Sequence, residues 1–191
     1  HNQSRRQRQM CIRDRNYVRE ENIYKGKNII IVETVKEYVK KVIELDQKTI
    51  EKGNGLKIID VEREFVNEIR DKGKKFKIRG KIDRIDELNG KLRVIDYKSG
   101  KKLRQRNITI KDSEELTKEK GIYNLQLLVY MLGVKEKFNE KTIKSGIINL
   151  KNISEGVLEG VFNGKTVLNN NEMENYKTVS YTHLTLPTTL V

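Results

Sequence analysis

The chain has no tryptophan, one cysteine, one proline and two histidines among 191 residues. A lone cysteine cannot close an internal disulfide, and it leaves too few soft ligands for a zinc site or an iron–sulfur cluster. No apolar run reaches the ~18 residues a membrane helix needs, so no membrane span is expected. No short apolar run follows a basic N-terminus ahead of a small-residue cleavage site, so no signal peptide is expected either. Negative charge is the scarcer sign, with 27 Asp and Glu against 40 Lys and Arg, a formal net charge of +13. An excess of that size favours a polyanionic partner, nucleic acid ahead of a membrane surface.

The rare residues sit at the two ends: His1 and Cys11 near one, His183 and Pro187 near the other. The run Arg5 to Asp14 can be written CGT CGG CAG CGT CAG ATG TGT ATA AGA GAC. Its reverse complement translates to Val-Ser-Tyr-Thr-His-Leu-Thr-Leu-Pro-Thr, which is Val179 to Thr188. The DNA resembles a transposon mosaic end with a sequencing-library adapter. Residues 1–15 and 179–191 are therefore expected to be translated adapter around a truncated gene fragment, leaving 16–178 as the domain. A basic arm and a Thr-rich tail are the alternative. Segment 5–15 holds five Arg and one Asp, so without it 35 basic residues face 26 acidic ones, a net charge of +9. Richness in Lys, Ile and Asn suggests AT-rich coding DNA, which weakens the Lys excess as a functional signal.

Within that domain, Ile29, Val32, Val35, Val39, Val42 and Ile43 recur at three- and four-residue steps and predict a helix over 28–52. Gly53-Asn54-Gly55 stops it. Leu56 to Ile69 reads as strand or helix, a strand through about Asn67 being favoured, and a second strand is expected over 74–87. Asn89-Gly90 is a strong type I′ hairpin signal, with the returning strand at 91–98. A polar, basic loop follows to about Thr117. A helix is expected over 124–134, with Leu125, Leu128, Val129 and Leu132 on one face. Strands follow at 142–150 and 157–168, Asn163-Gly164 being a possible turn in the second. A last helix begins near Glu172. The order α-β-β-β-α-β-β predicts an α/β (α+β) fold, a mixed central sheet flanked by helices.

The hairpin carries the sharpest chemical signal. With Asn89-Gly90 as a two-residue turn, Leu88 faces Lys91 and Asp83 faces Asp96, with Lys98 on the face of Asp96. Facing carboxylates repel unless a cation lies between them. Paired Asp with few soft ligands suits a hard, oxygen-seeking ion, Mg²⁺ or Mn²⁺. Such an ion can polarise a phosphoryl oxygen and acidify a bound water, and Lys98 beside it can stabilise developing charge. A solvated polar hairpin is the alternative. Flanking Ile82, Ile85, Val94 and Ile95 weigh against it by putting the Asp pair near a core.

Asp83 followed by Asp96-Tyr97-Lys98 resembles the PD-(D/E)XK nuclease core, and thus a restriction-endonuclease-like fold. Gly80-x-x-Asp83-Arg84-Ile85-Asp86 and Ile95-Asp96-Tyr97-Lys98-Ser99-Gly100 are similar to the RecB/AddB-type branch. Gln126-Leu127-Leu128-Val129-Tyr130 matches that branch's Gln-x-x-x-Tyr motif, whose i and i+4 residues share a helix face. The resemblance spans about Lys25 to Leu168. It implies a metal-dependent DNA nuclease in repair or recombination, bacterial, cytoplasmic and nucleoid-associated, working with a helicase domain or subunit. Asp83, Asp96 and the backbone carbonyl of Tyr97 would be metal ligands and Lys98 the catalytic lysine. Gln126 and Tyr130 would position the lysine or the strand. Glu64 is a candidate extra carboxylate, with a plain surface charge as the alternative.

Ile82 stands in place of the nominal Pro. The upstream metal-binding His of many relatives has no counterpart in 16–178; either another residue, for example Glu33, fills its role, or the ligand lay upstream of the expected truncation. The four-Cys iron–sulfur cluster of some relatives is excluded, and no Walker-type phosphate loop is present. Lys101, Lys102, Arg104 and Arg106, just beyond Lys98, are candidate phosphate contacts. Tyr97, Tyr123 and Tyr130 could stack on bases, although packing is the commoner role. Two other readings stand beside the nuclease: a DNA-binding module with an incomplete site, and a structural domain whose charge reflects codon bias.

Overall fold

The computed structural model describes residues 26–71, 74–138, 142–169, 171–173 and 175–176. Both segments read as adapter, and the end of the last expected helix, lie outside the described residues. The chain divides into two units, His1–Glu44 and Leu45–Val191. Helix α1 runs Lys27–Glu51 and crosses that division. Its stop is as expected: Gly53 takes φ +81°, a left-handed value, and its N–H donates to Ile50 O at 2.8 Å. The side chain of Asn54 donates to Thr49 O at 3.1 Å, satisfying another terminal carbonyl.

The second unit is built on a mixed sheet. Strands β1 (Leu56–Asp71), β2 (Lys74–Leu88) and β3 (Lys91–Lys98) form an antiparallel meander. Strand β4 (Thr109–Ile110) and helix α2 (Ile122–Phe138) follow. Then come β5 (Thr142–Asn149), β6 (Val157–Glu159), β7 (Val161–Phe162) and β8 (Val167–Asn169). The main sheet has the order β1-β2-β3-β5-β6, with β8 also paired to β5. The β3–β5 pair is parallel, as the intervening helical crossover requires. Strands β4 and β7 make a separate two-stranded parallel pair.

Three expectations change. Strand β1 continues past Asn67 to Asp71, because β2 pairs with it along its whole length. The stretch expected as one strand over 157–168 is three short ones. It is broken where the Gly160 N–H turns to Ser145 O and where Asn163 and Gly164 take φ +48° and +76°. The expected loop to Thr117 holds β4 and two 3₁₀ turns, Gln105–Ile108 and Glu114–Thr117.

Helix α2 is covered on more than one side, so its apolar residues do not form a single stripe. Leu128 and Leu132 are buried as expected, but so are Leu127, Met131 and Val134, whereas Leu125 and Val129 are only half-buried. The helix contacts β1, β2, β3 and β5 as well as the 3₁₀ turns. Leu103, Ile108, Ile110 and Leu116 from the preceding segment complete the core. Each such side chain contributes roughly 1.5–3 kcal/mol on burial. Buried Asn124 ties the layers together, donating to Ile108 O at 3.0 Å and Val161 O at 3.1 Å.

Two glycines allow α2 to approach the meander closely. A Cβ on Gly80 would stand 2.5 Å from the Phe65 ring, and one on Gly133 would stand 2.6 Å from the same ring. Phe65 meets Tyr130 edge-on, with centroids 6.2 Å apart. No described helix is long and apolar enough to cross a membrane.

Candidate active site

The β2–β3 turn sets the site. Asn89 and Gly90 take φ +51° and +76°, the pair of positive values a type I′ turn demands. The register that follows runs Leu88↔Lys91, Glu87↔Leu92, Asp86↔Arg93, Ile85↔Val94 and Arg84↔Ile95, as expected from the turn. The β1–β2 ladder keeps one register from Asp60 through Gly80, skipping Glu62 and Asp83; its register shift lies between Ile58 and Asp60.

The β2–β3 ladder stops at Arg84↔Ile95, one step short of Asp83 and Asp96. There the Asp83 carboxylate takes over, accepting the Tyr97 N–H at 2.8 Å. Adjacent residues of a strand direct their N–H and C=O groups to opposite edges. The Lys98 carbonyl accepts from Leu150 on the β5 side, so the Tyr97 carbonyl points to the other edge, toward Asp83.

Asp96 is buried, and Gln126 donates from Nε2 to its Oδ1 at 3.0 Å. The Tyr130 hydroxyl stands 3.5 Å from the same oxygen. Lys98 Nζ lies 2.9 Å from Asp96 Oδ2 as an ion pair and donates to Gln126 Oε1 at 2.8 Å. Gln126 also donates to the Tyr130 hydroxyl at 2.8 Å. The i, i+4 spacing of Gln126 and Tyr130 thus places both on Asp96. Burial pushes the Asp96 carboxyl above its ordinary range; Lys98 pulls it back in part, and the Asp83 charge pushes it up again. Burial raises the Tyr130 phenol as well, up to about 12, helped by the charges of Asp96 and Asp83 and opposed by the bond from Gln126.

This donor set fits a divalent cation. Asp96 Oδ2 is buried and receives no directed hydrogen bond, only the ion pair with Lys98. A buried carboxylate oxygen left that way is poised for a cation. With Asp83 and the Tyr97 carbonyl beside it, the site offers hard oxygen ligands only, suited to ions of the magnesium type.

Glu64 does not join them. It is exposed opposite Lys81 and lines a cleft of about 500 Å³ with Phe65, Ile82, Gly133 and Lys137. Among the described residues no three His, Cys, Asp or Glu side chains converge as a metal set. Glu33 lies in the first unit, paired with Lys36 at 2.7 Å on an exposed turn of α1. Lys101, Lys102, Arg104 and Arg106 are all exposed on a segment with a fixed backbone. Buried Asn149 holds Lys101 O at 2.9 Å, Leu103 is buried, and Asn107 Oδ1 accepts the Arg104 N–H at 2.9 Å. Of the three tyrosines considered for stacking, Tyr130 is buried, and Tyr97 and Tyr123 are half-buried.

One group has no role in the sequence reading. Arg84, Asp86 and Arg93 form a buried ionic cluster with Asp46 of α1. Burial pulls the Arg84 guanidinium down, but its bonds to Asp46 and Tyr97 and the charge of Asp86 outweigh this and hold it above its ordinary value. Its signal was in the register, since Asp86 faces Arg93 across the predicted hairpin.

An antiparallel meander, a helical crossover and a parallel fifth strand, with Asp, Asp and Lys at the end of the hairpin, are features of the PD-(D/E)XK class. The family profile of the PD-(D/E)XK nuclease superfamily matches residues 8–183, and the chain belongs to that superfamily. Its fold is accordingly of the restriction-endonuclease-like class. Members generally use divalent metals. A search of curated proteins finds no match. Among solved structures the chain is similar to the crystal structure of SSO0001, at 18% identity and a TM-score of 0.38, covering 79% of this chain and 61% of that one.

Proposed function

We propose that the chain hydrolyses phosphodiester bonds in DNA with Mg²⁺ or Mn²⁺, as a nuclease of the RecB/AddB type. The observation that carries this is the linkage of Asp96, Lys98, Gln126 and Tyr130 into one hydrogen-bonded group. The cation would be held by Asp83, Asp96 and the Tyr97 carbonyl, and would supply Lewis acidity to the phosphoryl group and to a water. The Lys98 side chain is 28% exposed, against 3% for Asp96. It can swing from Asp96 to an attacking water or to the charge developing on phosphorus. Gln126 holds its ammonium in range, and Tyr130 is a neutral hydrogen-bond donor near Asp96 Oδ1. Lys101, Lys102, Arg104 and Arg106 hold the DNA backbone.

The motif wording over residues 80–100 and 126–130 supports the RecB/AddB assignment. With it come a place in repair or recombination, a helicase partner and a cytoplasmic, nucleoid-associated setting. The test is Mg²⁺-dependent cleavage of DNA by the wild type, with Asp96→Ala and Lys98→Ala lowering the rate about 10²-fold or more. Cleavage unchanged in both variants removes the mechanism. DNA binding without cleavage favours a binding module with an incomplete site.

A further inference from the structure

Tyr97 is gripped at both ends by consecutive residues of β2. Its N–H donates to Asp83 at 2.8 Å, and its hydroxyl stands 3.4 Å from Arg84 Nη1. These contacts fall just where the β2–β3 ladder ends, so they replace ladder bonds in holding the two strands together at the site. Arg84 has little freedom. Its two terminal nitrogens donate to Asp46 at 2.8 and 3.1 Å, and its Nε donates to Asp86 at 2.7 Å. Asp86 is itself fixed by Arg93, at 2.7 and 3.0 Å. Two guanidinium groups and two carboxylates cancel in charge. Apolar residues of similar volume commonly replace such buried ion pairs without loss of stability, so stability alone is a weak reason for the cluster. A rigid bidentate fork is what Arg offers beyond charge.

We propose that Arg84 is a positioning residue: through Tyr97 it sets the spacing of Asp83 from Asp96 and the Tyr97 carbonyl, and thereby the affinity of the site for its divalent cation. This rests on the nuclease reading and extends it to residues that touch neither cation nor DNA. Groups that orient metal ligands in this way typically govern affinity by about 10–100-fold.

The experiment is calorimetric titration of the full chain with Mn²⁺ in the absence of DNA, beside the Mg²⁺ dependence of cleavage. Arg84→Met removes the fork, Arg84→Lys keeps only the charge, and Tyr97→Phe removes only the hydroxyl. Circular dichroism melts establish which variants fold. Expected are an Mn²⁺ Kd weakened about 10-fold or more in Arg84→Met, partial recovery in Arg84→Lys, and a smaller weakening of about 3-fold in Tyr97→Phe. The half-saturating Mg²⁺ for cleavage should rise in step, with the KM for DNA unmoved. Folded Arg84→Lys and Tyr97→Phe proteins that bind Mn²⁺ as the wild type does overturn the proposal. A wild type that neither binds Mn²⁺ nor cuts DNA overturns the nuclease reading, and this proposal with it.

Discussion

Adding a divalent cation should stabilise the folded chain by an amount that grows with pH. The reasoning starts at Asp96, whose side chain is 3% exposed and whose pKa burial raises above 3.8. For a group raised on folding, the stability contribution is present in full below the unfolded value and is lost as pH rises through the folded value. Wherever Asp96 is ionised, the cation-free fold carries a buried carboxylate at some cost, relieved only in part by Lys98. The cation binds the ionised form and reverses the sign. At a concentration about 100 times Kd it contributes about 2.7 kcal/mol. A domain of this size shifts its Tm by roughly 2–4 °C per kcal/mol, so the expected rise is about 5–10 °C. At a pH below the raised Asp96 value the proton competes, and the rise should shrink to about 1–2 °C. The assay is a circular dichroism melt with MgCl₂ or with chelator, at one alkaline and one acidic pH. The same Mg²⁺-dependent rise at both pH values, or its survival in Asp96→Ala, would refute the reasoning.

Other perturbations test separate parts of the argument. Replacing Lys101, Lys102, Arg104 and Arg106 with Ala should weaken DNA binding and lower the salt slope by about 0.9 for each phosphate no longer neutralised, measured by anisotropy over a salt series, while the Mg²⁺-dependent Tm rise stays. Gly133→Ala should destabilise by about 1–3 kcal/mol in a urea melt, because the new Cβ meets the Phe65 ring at 2.6 Å; adding Phe65→Leu should recover part of that loss. Asp86→Asn leaves two buried guanidinium groups short of a carboxylate and should cost about 3–5 kcal/mol by the same assay.

What could be read from the sequence is explained by the range over which each feature is encoded. Asn89-Gly90 fixes a register locally, and every pair from Leu88↔Lys91 to Arg84↔Ile95 follows from it. Gln126 and Tyr130 are likewise local to one helix, so their convergence was legible, although their meeting with Asp96 needed the whole crossover. The backbone ladder ends one step further on, where the Asp83 side chain bonds the Tyr97 N–H in place of a backbone group. Backbone periodicity carries no signal for that exchange. Nor does it for Asp46 meeting Arg84 across 38 residues, or for Phe65 seated between Gly80 and Gly133. Strand β1 outruns its expected end because β2 pairs with it as far as Asp71↔Lys74. The exchange at Asp83 and the reach of Asp46 share a cause: each is a side chain doing what the backbone ladder does elsewhere. The candidate site lies where the ladder ends, and there the Asp83 carboxylate holds Tyr97 by its N–H while the buried Arg84 cluster holds the same residue by its hydroxyl.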